Sequence, residues 1–289
     1  MKIFKPKFWD KDCLNIMSIL LYPFTYILDL KKLINFFQRP KKYNQVKTIC
    51  VGNIYLGGTG KTPLVDFLSK NLKKKFKTAI IKKNYKAHLD EKIFLEQNSR
   101  VFFEKDRELA LIKSIKEKFE ILIFDDGLQD NKIRYDLSIV CFNSFTLAGN
   151  QLRLPSGPLR EKLNSLKKYN AVFISGNLKN KKFLKQIKNI NPKIPVFSGE
   201  YVSSNYRRFK KFNYLVFSGI GNPRSFENTL KQYHIKFKSN LIYPDHYNYS
   251  KLDIENIKRI AKHKKLKILT TEKDFHRIPK KLRKNINYL

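Results

Sequence analysis

Val51-Gly-Asn-Ile-Tyr-Leu-Gly-Gly-Thr-Gly-Lys-Thr-Pro63 follows a short apolar strand, Val46 to Val51. It leads into a helical pattern with Leu64, Val65, Phe67, Leu68, Leu72 and Phe76 on one face. Strand, glycine-rich loop and helix is the setting a phosphate-binding loop requires. Gly57, Gly58, Thr59 and Gly60 bring the backbone close to a polyphosphate, with the positive end of the helix dipole aimed at it. Lys61 reaches the β- and γ-phosphates, and the Thr62 hydroxyl holds Mg²⁺. The usual spacing places a first glycine five residues before Gly60, where this chain has Tyr55. The alternative for the stretch is an ordinary tight strand-to-helix turn.

Glu120-Ile-Leu-Ile-Phe-Asp-Asp-Gly127 is a second buried-strand run, ending in two carboxylates. Ligands of open parallel sheets bind beyond the carboxyl ends of the strands. Asp125 and Asp126 therefore stand where Mg²⁺ beside Thr62 needs a carboxylate. A solvated Asp-Asp-Gly turn is the competing reading. Elsewhere, apolar runs at Thr78–Ile81, Leu137–Phe142, Ala171–Ser175, Ile194–Phe197, Tyr214–Ser218 and Leu266–Thr271 read as strands. Arg107–Lys118, Lys181–Asn189, Ser225–Tyr233 and Leu252–His263 read as helices. This alternation predicts a P-loop NTPase-like, doubly wound, mostly parallel sheet with a second smaller α/β domain. The expected division is 1–40 as an N-terminal membrane-associated helical segment, 41–163 as the P-loop kinase domain, and 164–289 as a second α/β domain closing over the cleft.

The motifs together resemble the tetraacyldisaccharide 4'-kinase (lipid A 4'-kinase) family. They are Gly52-Asn53, Gly57 to Pro63, Asp125-Asp-Gly-Leu-Gln129 and Gly157-Pro-Leu-Arg-Glu161, then Ser218-Gly-Ile-Gly-Asn-Pro223, Pro244-Asp-His246 and Thr271-Glu-Lys-Asp274. The likeness runs from about Leu14 to Pro279. It implies an ATP- and Mg²⁺-dependent transfer of the γ-phosphate to the 4'-hydroxyl of tetraacyldisaccharide 1-phosphate. It implies also that an aspartate of a Gly-Asp-Glu-Pro motif acts as base beside the histidine of Asp-His. The nearest match here is Leu89-Asp90-Glu91-Lys92, so the base role falls to Asp90, with His246 orienting it. Arg160 becomes a candidate for gripping phosphate or closing the cleft, against an ion pair with a surface acid. Three departures accompany the match. Lys82-Lys83-Asn84-Tyr85-Lys86-Ala87 replaces Ser-Arg-Gly-Tyr-Gly-Gly, the segment before Asp90 is short, and Asp130 stands where histidine follows the glutamine.

The chain has 289 residues, enough for a sizeable core. Cys13, Cys50 and Cys141 lack metal-ligand spacing, and Cys50 and Cys141 fall in expected strands, as for core thiols in a reducing compartment. Formal net charge is +36, from 60 Lys and Arg against 24 Asp and Glu. A nucleic-acid binder, a protein on an anionic membrane and a compositional bias toward Lys, Asn and Ile all account for it. No recognition-helix or RNA-module signature accompanies the lysines, so bias is preferred, with membrane attraction a consequence. Cys13 to Leu28 is an uncharged run interrupted by Pro23, shorter than the roughly 20 residues a span needs. An interfacial helix at the cytoplasmic face of the inner membrane is expected, as the resemblance also implies; packing on the protein's own core is the alternative. Two other functions remain open. One is a P-loop ATPase or GTPase acting on nucleic acid, and the other a non-catalytic membrane-associated nucleotide-binding protein.

Overall fold

The computed structural model describes residues 6–10, 15–26, 40–84, 89–178, 180–200, 206–221 and 223–289. They form two compact units, one within Lys5–Lys86 and Lys92–Tyr201, the other within Ala87–Glu91 and Val202–Leu289.

The larger unit is built on seven strands. They are β1 (Lys47–Gly52), β2 (Thr78–Lys83), β3 (Arg100–Glu104), β4 (Ile121–Asp125), β5 (Leu137–Asn143), β6 (Ala171–Ser175) and β7 (Val196–Gly199). Their order is β3-β2-β4-β1-β5-β6-β7, and every pairing is parallel. The strands read as near-continuous apolar runs because both faces are covered. Cys50, Ile81, Leu122, Phe124, Val140 and Phe142 belong to one apolar cluster. Val51, Ile80, Ile123 and Cys141, next to them in the chain, belong to the other. This is the period-2 alternation of a sheet with a core on each side. Cys50 and Cys141 are free buried thiols, pushed up in pKa by that burial, as core packing requires.

β1 lies between β4 and β5, and the chain crosses from one side of it to the other after β4. Such a reversal opens a crevice at the carboxyl ends of the strands. The phosphate loop and the Asp125-Asp126 pair leave β1 and β4 at that edge, with Val51 and Asp125 in register.

The smaller unit carries a second parallel sheet, order β11-β10-β8-β9. Its strands are β8 (Asn213–Ser218), β9 (Lys236–Ile242), β10 (Lys267–Thr270) and β11 (Ile286–Tyr288). Leu215 and Phe217 point into one cluster and Tyr214 and Val216 into the other.

The sequence-based boundary near Leu163 does not coincide with this division. β6 and β7 hydrogen-bond onto β5 and extend the first sheet, so the larger unit continues to 201. At the N-terminus, α1 (Ile16–Leu21) is only one and a half turns long before a 3₁₀ turn at Tyr22–Phe24. The remainder of the expected 1–40 segment, Cys13 included, lies largely outside the described residues.

Candidate active site

The phosphate loop is shaped by one demanding position. Gly60 has φ +81, the left-handed region that suits glycine, and it caps α2 (Lys61–Leu72). A Cβ at Gly60 would lie 2.6 Å from Ser175 Oγ, so the position also excludes side chains by contact. Pro63 sits in the first turn of α2, where no helical hydrogen bond is lost. Inside the loop, Asn53 Nδ2 donates to Gly57 O (3.2 Å) and to Thr59 Oγ1 (3.1 Å). Asn53 is fully buried, and its Oδ1 has no hydrogen-bond partner among the described residues.

Tyr55, at the position of the missing first glycine, is buried, and its hydroxyl donates to Asp10. The neighbouring backbone is held by the Gly157 to Glu161 motif. Leu56 N donates to Pro158 O at 2.8 Å, and Arg160 N donates to Ile54 O at 2.7 Å. That bracing carries Arg160 to the loop. Its guanidinium meets both oxygens of Asp126, at 3.0 and 3.1 Å, and Gln129 Oε1 at 3.2 Å. Lys61 Nζ stands 3.9 Å from Asp126 Oδ1. Arg160 thus pairs with Asp126, beside the phosphate loop.

The two aspartates are not equivalent. Asp125 is 1% exposed and ion-paired with Lys82 on β2. Asp126 has φ +60, an uncommon conformation for a side-chain-bearing residue. Arg107 secures it: Nη2 donates to Asp126 O at 2.6 Å while Nη1 pairs with Asp130 at 3.2 Å. Asp130, the departure after Gln129, therefore anchors the arginine that clamps the turn after β4. Burial pushes the Asp126 carboxyl up, but the Lys61 and Arg160 charges outweigh it and hold its pKa below the usual value. Asp126 is thus a carboxylate at neutral pH.

Glu161 completes the surround. Gln129 Nε2 bridges Glu161 Oε1 (2.9 Å) and Asn53 O (3.0 Å), while Lys168 and Tyr169 also donate to Glu161. Burial pushes this carboxyl up too, but those donors more than offset it.

Thr62 is buried on the first turn of α2. A hydroxyl with carboxylates is the hard oxygen set that Mg²⁺ takes, usually through one or two carboxylates plus phosphate oxygens. Asp125 Oδ1 is buried with no hydrogen bond among the described residues, a lone pair left for another partner. Thr62, Asp125 and Asp126 therefore fit the ion. Among the described residues no group of three or more His, Cys, Asp or Glu could hold a metal by itself, as expected where phosphate supplies further ligands.

In the smaller unit, His246 has φ +56, and its backbone N donates to Gly219 O at 3.0 Å. Asp90 lies in α3 (Leu89–Glu96), and its side chain is outside the described residues. Glu91 beside it is buried and pairs with Lys273 at 2.5 Å. Ala87–Glu91 and His246 belong to the same compact unit. Sequence reasoning missed Asn53, Lys82, Arg107, Gln129 and Glu161 as site residues. Asn53, Gln129 and Glu161 stood inside the motifs themselves, which was the available signal. Lys82 was marked only as the first residue of the departing segment, and nothing local marked Arg107.

A glycine-capped phosphate loop, a lysine opening its helix and a strand-end aspartate bound by that lysine and an arginine define a P-loop phosphotransferase. A family model described as tetraacyldisaccharide-1-P 4'-kinase matches residues 14–289. The tetraacyldisaccharide 4'-kinase of Pelagibacter ubique (strain HTCC1062) is 48% identical over 293 residues, covering 100% of this chain and 93% of the relative. That of Rickettsia bellii (strain OSU 85-389) is 35% identical, covering 96% and 90%. The solved structure of LpxK from Aquifex aeolicus in complex with ATP has a TM-score of 0.67 and 25% identity, covering 94% of this chain and 92% of that one. The chain belongs to the tetraacyldisaccharide 4'-kinase family and is a kinase.

Proposed function

We propose that this chain binds MgATP at Gly57 to Thr62 and phosphorylates the 4'-hydroxyl of tetraacyldisaccharide 1-phosphate, a step of lipid A synthesis. The convergence of Lys61 and Arg160 on Asp126 beside the glycine loop carries this reading. Asp90 takes the proton of the 4'-hydroxyl as its oxygen bonds to the γ-phosphorus and the bond from that phosphorus to the bridging oxygen of the ADP leaving group breaks. His246 orients Asp90. Lys61 and Arg160 stabilise negative charge on the equatorial oxygens. Thr62 and Asp126 would hold Mg²⁺, with Asp125 behind them, and the ion would supply positive charge beside the β- and γ-phosphates. On nucleotide binding, Arg160 exchanges some of its contact with Asp126 for phosphate oxygens, which its guanidinium fork suits.

The N-terminus supports work at a membrane surface. Ile16, Met17, Ile19, Leu20, Tyr22 and Phe24 are exposed by 46% or more, while Ser18 is buried against the protein and accepts from Asn150. An apolar face of this kind suits the headgroup boundary. Among the described residues no helix is long and apolar enough to cross a membrane. Attachment in this reading is peripheral or monotopic, on the cytoplasmic face of the inner membrane, helped by the +36 charge at about 1 kcal/mol per nearby basic residue.

The experiment is transfer from γ-labelled ATP to tetraacyldisaccharide 1-phosphate in detergent micelles with Mg²⁺. A labelled lipid that vanishes with Lys61→Ala is expected. Nucleotide binding without lipid product would overturn the assignment.

A further inference from the structure

We propose that Arg277 fixes His246 as the imidazole tautomer that carries its proton on Nε2, making Arg277 a positioning residue for the reaction. The inference rests on the catalytic reading of His246 but makes a separate physical claim about the ring.

The argument begins at the ends of β8 and β10. After β8, Gly219 turns the chain; after β10, Thr271 caps α4 (Glu272–Arg277), its hydroxyl accepting from Asp274 N at 3.1 Å. Arg277 on the last turn reaches back with a side chain only 5% exposed. Its Nη1 donates to Gly219 O at 2.6 Å and to Asp274 Oδ1 at 3.1 Å. Its Nη2 lies 3.2 Å from His246 Nδ1.

A guanidinium has donors and no acceptor. Nδ1 must therefore present its lone pair, and the ring proton resides on Nε2. An imidazolium would set an N–H against an N–H and one positive charge against another. Among the described residues, an opposing charge near the ring is Asp245, whose Oδ1 is 3.9 Å from Nε2, farther than the arginine is from Nδ1.

The arginine is itself immobilised. Asp274 is fully buried and accepts from Thr271 Oγ1 (2.7 Å), Tyr249 Oη (3.0 Å) and Gly219 N (3.1 Å) as well as from Arg277. Gly219 is common to both arms, since its carbonyl also accepts from His246 N. A Cβ at Gly219 would stand 3.0 to 3.1 Å from Tyr249 Oη, Pro244 O and Tyr247 Cβ, so this crossing admits only glycine without displacement. The Ser218-Gly, Pro244-Asp-His246 and Thr271 to Asp274 motifs thus form one device aimed at the His246 ring. The chemical consequence is specific. Nε2–H donates to a carboxylate and cannot take a proton, so proton removal falls to the carboxylate partner and not to the imidazole.

Two-bond ¹H–¹⁵N correlation of the histidine rings in the full-length ¹⁵N-histidine-labelled chain tests this, with His246 assigned by its loss in His246→Asn. The wild-type ring is expected to show the pure Nε2–H pattern at pH 8. Arg277→Met is expected to show a mixed pattern and a kcat lower by about tenfold or more, as for other orienting partners, with KM for ATP unchanged. An Nδ1–H or imidazolium pattern in the wild-type protein would overturn the proposal, and this reading needs no variant to fold. So would an unchanged pattern in Arg277→Met. If His246→Asn retains full transfer while the wild-type ring is pure Nε2–H, the catalytic reading of His246 fails and the tautomer assignment stands.

Discussion

Lys82 and Asp125 sit in register on adjacent strands and form an ion pair sealed at the carboxyl edge of the large sheet, their side chains 6% and 0% exposed. Lys82 opens the segment in which the chain departs from its family's serine-arginine-glycine pattern. By neutralising Asp125 it leaves Asp126 as the partner of Lys61 and Arg160. Removing one member of a buried pair strands the other charge, at a cost of about 3–5 kcal/mol. Lys82→Met should lower unfolding stability by about that amount in urea titrations. Lys82→Met with Asp125→Asn should recover much of the loss. A midpoint unmoved by Lys82→Met would mean Asp125 does not need its partner.

Lys61 and Asp126 should separate chemistry from folding. Each stands at the phosphate site, partly exposed and outside the apolar clusters. Loss of one preorganised charge costs about 10²–10³ in rate. Lys61→Ala and Asp126→Asn should each lose at least that much transfer while remaining cooperatively folded at the assay temperature, as thermal unfolding will show. Retained transfer in either would remove it from the catalytic machinery.

The Asp126 carboxyl also gives a signed pH dependence. Its folded pKa is held below the ordinary carboxylate value of about 3.9. The unfolded chain therefore binds its proton first as pH falls. The stabilisation is complete above that ordinary value and is lost as pH drops through the lower folded one. Asp126→Asn should lose less stability than the parent protein between pH 6 and pH 2.5, measured by denaturant titration at each pH. Parallel curves would show that the site charges do not act on Asp126 in this way.

Tyr55→Phe should remove the hydrogen bond to Asp10 while keeping the buried ring. One such bond contributes about 1 kcal/mol net. Unfolding stability should drop by that amount. Unchanged stability would show that the hydroxyl is a bystander where the loop's missing glycine would stand.

The exposed face of α1 gives the membrane test. Ile19 and Leu20 are 58% and 63% exposed, so Ile19→Ser with Leu20→Ser removes apolar surface without opening the core. Co-flotation with vesicles containing anionic lipid should fall several-fold while thermal stability holds. Undiminished flotation would place membrane attachment elsewhere.

Most of the architecture was legible from local signals, because strands buried on both faces must be apolar runs and a loop with φ > 0 beside a phosphate calls for glycine. β1, β2, β4, β5, β6, β8 and β10 fall within a few residues of the runs that announced them. β9, Lys236-Phe-Lys-Ser-Asn-Leu-Ile242, was missed, since at an edge of the small sheet it needs little apolar character. β3, at an edge of the large sheet, was missed as well, while β11 has three residues and α4 six, too few for periodicity to register. The boundary near Leu163 failed for a different reason. Which sheet β6 and β7 join is settled by pairing with β5, not by their composition.

By itself, then, the sequence determined the strand–loop–helix phosphate site, the parallel α/β class and the order of the family motifs. All of these express conformational demands within a few residues. Only the tertiary structure decided that Lys82 neutralises Asp125, that Arg107 and Asp130 secure Asp126, that Arg160 answers to Asp126 and that Arg277 faces His246. Nearly all these partners lie far apart in the chain. Their identity follows from which strands become neighbours, a choice set by burial of the whole sheet and invisible to any local pattern.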